Sequence, residues 1–278
     1  MLRGRPVGCI LALLACQSAS AAGQAPVSGY SAASPPNGAE ALAVQWIAVA
    51  APGGHSMLAA VARPQGGGPF PAVVLLHGSH GFAREYVQLA QDLTAAGVVA
   101  VAACWFSGGV GAGTRFITPI DCPDGPPMPR ATDPTAQQAV DAIVQAVRTL
   151  PGVRADRIGL FGHSRGGGAA LNYALTIDSV RAIVLNSTGY PSDLQKGVSN
   201  LKASVLILHG AADSAADGGS PISDVQMARN FEAALRRAGR RVEAKYYAGG
   251  SHNGIFADPE QYKDELQRMK SFFASLLS

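Results

Sequence analysis

The chain has 278 residues, of which 47% are hydrophobic and 15% charged, with a formal net charge of +3. That length supports one globular domain with a substantial core. No Lys/Arg stripe interleaves with aromatic residues, which argues against nucleic acid as a partner. No HExxH or comparable His/Cys spacing argues for a metal, and no cofactor is expected.

At the N-terminus, Arg3 and Arg5 precede an apolar run from Val7 to Cys16 that is too short to span a bilayer. Ala19 to Ala21 supply the small residues that signal peptidase needs. Residues 1–21 therefore read as a secretory signal, which would place the mature protein in the periplasm or outside the cell. The same residues allow a second reading. Leu13 to Cys16 resemble a lipobox, in which Cys16 carries lipid and anchors the protein to the outer membrane. Contact with a membrane is expected in that case alone. Residues 22–40 are rich in Ala, Ser, Pro and Gly and read as a flexible lead-in to a domain over 41–278. After export, Cys104 and Cys122 remain. An oxidising compartment favours their pairing, worth about 3 kcal/mol in the chain-entropy account. Two separate thiols are the alternative.

The domain opens with a hairpin. Strands run from Ala43 and from Met57, with APGGHS between them as the turn. PAVVLLHG, from Pro71, is a continuous apolar run of the kind buried on both faces of a parallel sheet. Residues 83–97 are amphipathic and stop at Gly97, and VVAVAAC from Val98 is another buried strand. A Gly/Pro-rich stretch fills Trp105 to Arg130. A helix follows with Asp133 as N-cap and Pro134 at its first position. RIGLFG, from Arg157, is a strand that runs into a helix after Ser164. Strands from Arg181 and Ser204, a helix from Asp224 to Gly239, a strand from Val242 and a helix from Pro259 complete the chain. The pattern predicts a mostly parallel, eight-stranded sheet with an antiparallel start and helices on both faces.

In such a sheet ligands sit at the carboxyl ends of the strands. Three polar residues emerge there: Ser164 after GLFGH, Asp213 after LILHGAA, and His252 after YYAGGS. A serine hydroxyl is a weak nucleophile and needs an adjacent base to take its proton. His252 is the candidate base, and Asp213 would fix its tautomer. The Ser-Asp-His chain order and the G-x-S-x-G turn are those of a nucleophile elbow. Asp217 and Asp224 are rivals for the acid, and Asp224 also reads as a helix N-cap. The oxyanion donors would be the backbone N–H groups of Arg165 and Ser79, with His80 as the fallback for Ser79. His77 and His209 read as local hydrogen-bonding residues at strand ends. The Arg165 side chain reads as structural.

HGSHGF, GHSRGG, HGAAD and GGSHNGIF, in that order, resemble the α/β-hydrolase fold and within it the dienelactone hydrolase-like group. The resemblance covers about Ala41 to the C-terminus and makes 41–278 a catalytic domain without a large cap. It implies Ser164 as nucleophile, Asp213 as acid and His252 as base. The founding dienelactone hydrolases carry a cysteine where this chain has Ser164, which turns the expectation toward a serine esterase. Substrate would be a small-molecule or polymer ester, in a pocket built by His80, Phe82, Trp105 and His163. Its walls would be the Trp105 to Arg130 stretch and the turns around Phe82 and Tyr190. Peptidase or acyltransferase activity on the same core, and a non-catalytic envelope binding protein, are the competing readings. Oligomeric state is not legible.

Overall fold

The computed structural model describes residues 1, 29–109, 115–214 and 220–277. The stretch read as a signal, residue 1 aside, lies outside that set with Cys16, as does Asp217. Among the described residues the strands form one sheet of nine, ordered β1-β2-β3-β5-β4-β6-β7-β8-β9. The strands are β1 (Tyr30–Ala32), β2 (Gln45–Ala50), β3 (Ser56–Ala62), β4 (Phe70–Leu76), β5 (Val99–Ala103), β6 (Val153–His163), β7 (Ala182–Asn186), β8 (Ser204–Gly210) and β9 (Val242–Tyr247). The helices are α1 (Arg84–Leu93), α2 (Pro134–Arg148), α3 (Arg165–Thr176), α4 (Ser192–Lys196), α5 (Val225–Arg237), α6 (Gly254–Ala257) and α7 (Pro259–Leu277). The neighbour pairs β1–β2, β2–β3 and β3–β5 are antiparallel, and the remaining pairs are parallel.

The ninth strand corrects the expected count of eight. β1 lies in the stretch read as lead-in and pairs Tyr30 with Val49 and Ala32 with Ile47 at the sheet edge. Three residues carry no period, so only backbone pairing to β2 makes them a strand.

The core divides by strand alternation. Ala72, Val74 and Leu76 of β4 face α2, α3 and α5, while Val73 and Leu75 face α1 and α7. Both faces are covered, which is why the central strands are apolar throughout. Asp133 is the N-cap of α2, but its carboxylate accepts from Arg130 N–H at 2.9 Å and so anchors the preceding loop. Asp224 caps α5 directly, accepting from Gln226 N–H at 2.8 Å. The segment between β7 and β8 holds only α4 and one tight turn, so among the described residues no cap domain is inserted there.

Candidate active site

The parallel register brings the carboxyl ends of β6 to β9 to one edge. His163 is level with Asn186, Asn186 with Leu208, and Gly210 with Tyr247. Ser164 occupies the break between β6 and α3 at φ 52° and ψ −116°. That conformation is costly for a residue with a side chain, so its surroundings must enforce it. A Cβ on Gly162 would run into the Gly166 carbonyl, and one on Gly166 into the carbonyls of Leu76 and His77. The turn is therefore closed tightly on β4, and Ser164 N–H is held by Asn186 O at 2.9 Å.

Asp213 lies in the turn after β8 and His252 in the turn after β9. His252 Nε2 is 3.0 Å from Ser164 Oγ, and His252 Nδ1 is 2.6 Å from Asp213 Oδ2. With Nδ1–H donated to the carboxylate, Nε2 is bare and faces the serine proton. His209 Nε2 also lies 3.0 Å from Asp213 Oδ2 and 2.8 Å from Ser223 O. Burial pushes the Asp213 carboxyl up, but the bonds from His209 and His252 outweigh it and hold it below its ordinary value. His209 is thus more than a local strand-end residue, because it is a second donor to the buried acid. Asp224 is committed to its cap.

Arg165 N–H opens α3, and Ser79 N–H lies in the turn after β4. Neither has a backbone partner among the described residues. A Cβ on Gly78 would sit 3.2 Å from Ser164 Cβ, so this turn abuts the serine. The Arg165 side chain ties the same parts together, donating to Ser79 Oγ at 2.9 Å and to Pro129 O at 2.7 Å.

A cavity of about 450 Å³ opens beside Ser164 and His252. Its walls include Ser79, Ala131, Thr132, Gly168, Gly189 and Ile222, with Arg130 and Asp193 at the rim. Of the residues expected to build the pocket, none lines this cavity. Phe82, Trp105 and His163 are buried beneath the site. His80 is half-buried and bonds the Tyr86 hydroxyl at 2.8 Å. Tyr190 is also buried, and its neighbours Gly189 and Pro191 form the wall. Large rings fill space, so the wall falls to the small residues around them. Among the described residues, only the end of the Trp105 to Arg130 stretch reaches the cavity.

Every histidine except His55 belongs to this region. The His163 ring lies 5.3 Å from that of His252 and 5.3 Å from that of His80. Burial holds His77 down to about 3 and His80 to about 4. It also drives His163 well below its ordinary value, with His252 and His80 adding repulsion. All three are neutral at physiological pH. Among the described residues no group of His, Cys, Asp or Glu is arranged to hold a metal ion. Cys104 and Cys122 have Cα atoms 6.7 Å apart, within the span a disulfide bridges.

The fold and the elbow define an α/β hydrolase. The family model for the dienelactone hydrolase family matches residues 57–277, and the chain belongs to that family. It is 26% identical over 233 residues to a Bradyrhizobium protein named "Probable 2-oxo-3-(5-oxofuran-2-ylidene)propanoate lactonase", covering 77% of this chain and 84% of the other. The crystal structure of a dienelactone hydrolase from Anabaena variabilis superposes with a TM-score of 0.59 at 20% identity, over 84% of this chain and 99% of that one. The Pyrococcus furiosus esterase Pf2001 gives a TM-score of 0.65 at 15% identity, over 86% and 96%. Such identities establish a shared fold.

Proposed function

We propose that this hydrolase cleaves carboxylic esters through an acyl-enzyme on Ser164. The observation that carries the reading is the continuous line Ser164 Oγ, His252, Asp213, with contacts of 3.0 and 2.6 Å. Ser164 Oγ attacks the ester carbonyl carbon as its proton passes to His252 Nε2. The oxyanion lies against the N–H groups of Arg165 and Ser79, a kind of donor whose removal costs about 10²–10³ in rate. The tetrahedral adduct collapses, and the departing alcohol takes the proton from His252. Water then attacks the acyl group by the same route in reverse, releasing the acid and restoring Ser164. Asp213 keeps His252 in the required tautomer and stabilises its charged form.

The substrate is a small ester with an apolar group against Ala131, Gly189 and Ile222. Ile222 is 47% exposed and, Met1 aside, is the sole large apolar side chain so exposed among the described residues. A lactone is a cyclic ester and opens by the same steps, which is consistent with the name of the Bradyrhizobium relative. We further propose export through the signal at residues 1–21, and pairing of Cys104 with Cys122 in the exported protein.

The test is hydrolysis of p-nitrophenyl esters of graded chain length by purified protein beside Ser164→Ala. Turnover that the variant abolishes supports the reading. No turnover of any ester or lactone by folded protein contradicts it.

A further inference from the structure

The C-terminal helix α7 buries a carboxyl group that the reaction does not use. Glu265 is fully buried, in a helix whose other buried positions are Gln261, Met269, Phe272, Phe273 and Leu277. Packing alone would be served by another apolar residue there, and burying an acid is costly unless it is hydrogen-bonded. Its Oε1 accepts from Gln261 Nε2 at 2.7 Å, and its Oε2 accepts from Asn186 Nδ2 at 2.6 Å.

Both contacts lead to the active site. Asn186 is the last residue of β7, and its backbone oxygen holds Ser164 N–H at 2.9 Å. Because Nδ2 is given to Glu265, the Asn186 amide turns its Oδ1 to His163 Nδ1, 2.6 Å away. A neutral imidazole has one N–H and one bare nitrogen. Nδ1 therefore carries the proton, and Nε2 needs a donor. The structure sets Asn253 Oδ1 3.1 Å from Nε2. A half-turn of that amide interchanges its oxygen and nitrogen and would present its N–H₂ to His163, as the Nδ1–H tautomer requires. Asn253 directly follows His252. Gln261 grips the same loop from the other side, since a Cβ on Gly250 would lie 2.7 Å from Gln261 Oε1 and one on Gly254 would collide with it.

We propose that Glu265 is a positioning residue: through Asn186 it fixes His163 in the Nδ1–H tautomer, and through Asn253 and Gln261 it seats the loop that carries His252. What Asn186 requires is one acceptor oxygen, so the role does not depend on whether Glu265 is ionised. The catalytic part of the proposal rests on the assignment of Ser164 and His252 above. The tautomer part does not.

The test is two-bond hydrogen–nitrogen correlation NMR on full-length protein labelled with nitrogen-15 at histidine. The His163 signal is assigned by its loss in His163→Gln. The wild type should show the Nδ1–H pattern. Glu265→Gln keeps an oxygen for Asn186 and should keep both the tautomer and kcat. Glu265→Leu removes it, so His163 should populate both tautomers. Its kcat should fall about 10- to 100-fold with little change in KM, the scale expected of a misplaced catalytic group. A wild-type His163 that is Nε2–H or doubly protonated overturns the proposal. So does a Glu265→Leu protein that keeps tautomer and kcat. If Glu265→Leu does not fold, the wild-type and Glu265→Gln spectra decide. Should wild-type protein hydrolyse no ester, the assignment of Ser164 fails, while the tautomer is still read independently.

Discussion

The two flanks of Ser164 are built from opposite materials. On one flank His77, His80, Tyr86, Trp105, Phe106, His163 and Phe256 pack, mostly edge-on or tilted, into a floor of rings, with His77 and Phe106 centroids 4.3 Å apart and Trp105 Nε1–H bonded to His77 O at 2.9 Å. On the other, Ala131, Gly168, Gly189, Pro191 and Ile222 leave a cavity open to solvent. The ring floor sets where the elbow and the turn after β4 stand, and the small-residue wall sets what can approach them. Aromatic side chains close to Ser164 are thus foundation here, and the open space beside it is defined by what the wall lacks.

The largest expected effect lies on the line between the flanks. Asp213→Asn should lower kcat by about 10⁴ with little change in KM, because the amide no longer enforces the Nδ1–H tautomer of His252. Steady-state kinetics on one ester checks this. On the floor, Trp105→Ala should cost about 3–5 kcal/mol of stability, the range for deleting a large buried ring. Thermal unfolding measures it, and an unchanged Tm would mean that Trp105 does not belong to the foundation. On the wall, Ile222→Ser should lower kcat/KM for long-chain esters about tenfold, the scale of a lost apolar contact. It should leave short-chain esters and Tm nearly unaltered, because the side chain is already solvent-exposed. If Trp105→Ala changed chain-length preference and Ile222→Ser did not, the two flanks would have been assigned the wrong way round.

A smaller effect is the pH dependence of Tm. His77, His80 and His163 bind protons more weakly folded than unfolded, so stability should fall as pH drops below their ordinary value of 6.5. Glu265 runs the other way. Burial, with Asp264 adding repulsion, pushes it from 4.5 up to about 8, so its contribution is lost as pH rises through that window. Three histidines outweigh one carboxyl below 6.5, which places the Tm maximum near neutrality. Glu265→Gln should flatten the alkaline side, and a wild-type Tm that keeps rising to pH 8 would contradict this.

Most of the sheet was legible because buried parallel strands are written as apolar runs that break at glycine, as at Gly162 and Gly210. β1 was not, since three residues carry no period and the pairing is made by backbone. The positions of Ser164, Asp213 and His252 were legible because each follows such a run, and the parallel sheet gathers the run ends at one edge. The second bond to Asp213 was less so. His209 precedes it by one turn, and nothing local says that Nε2 points back to the carboxylate. His80, Phe82, Trp105 and His163 do not line the cavity, for a physical reason. Hydrophobic rings attract attention in a sequence, whereas a cavity is recorded by small residues such as Gly168 and Gly189, which many other needs also select. Glu265, Asn186, His163 and Asn253 are linked in a chain only through tertiary contact, and no spacing announces them.

The most direct test of the central claim is labelling with a fluorophosphonate followed by peptide mapping, on wild type, Ser164→Ala and His252→Gln. One adduct is expected, on Ser164, absent from Ser164→Ala and formed far more slowly in His252→Gln. Folded wild-type protein that takes no label, or takes it at another residue, would contradict it.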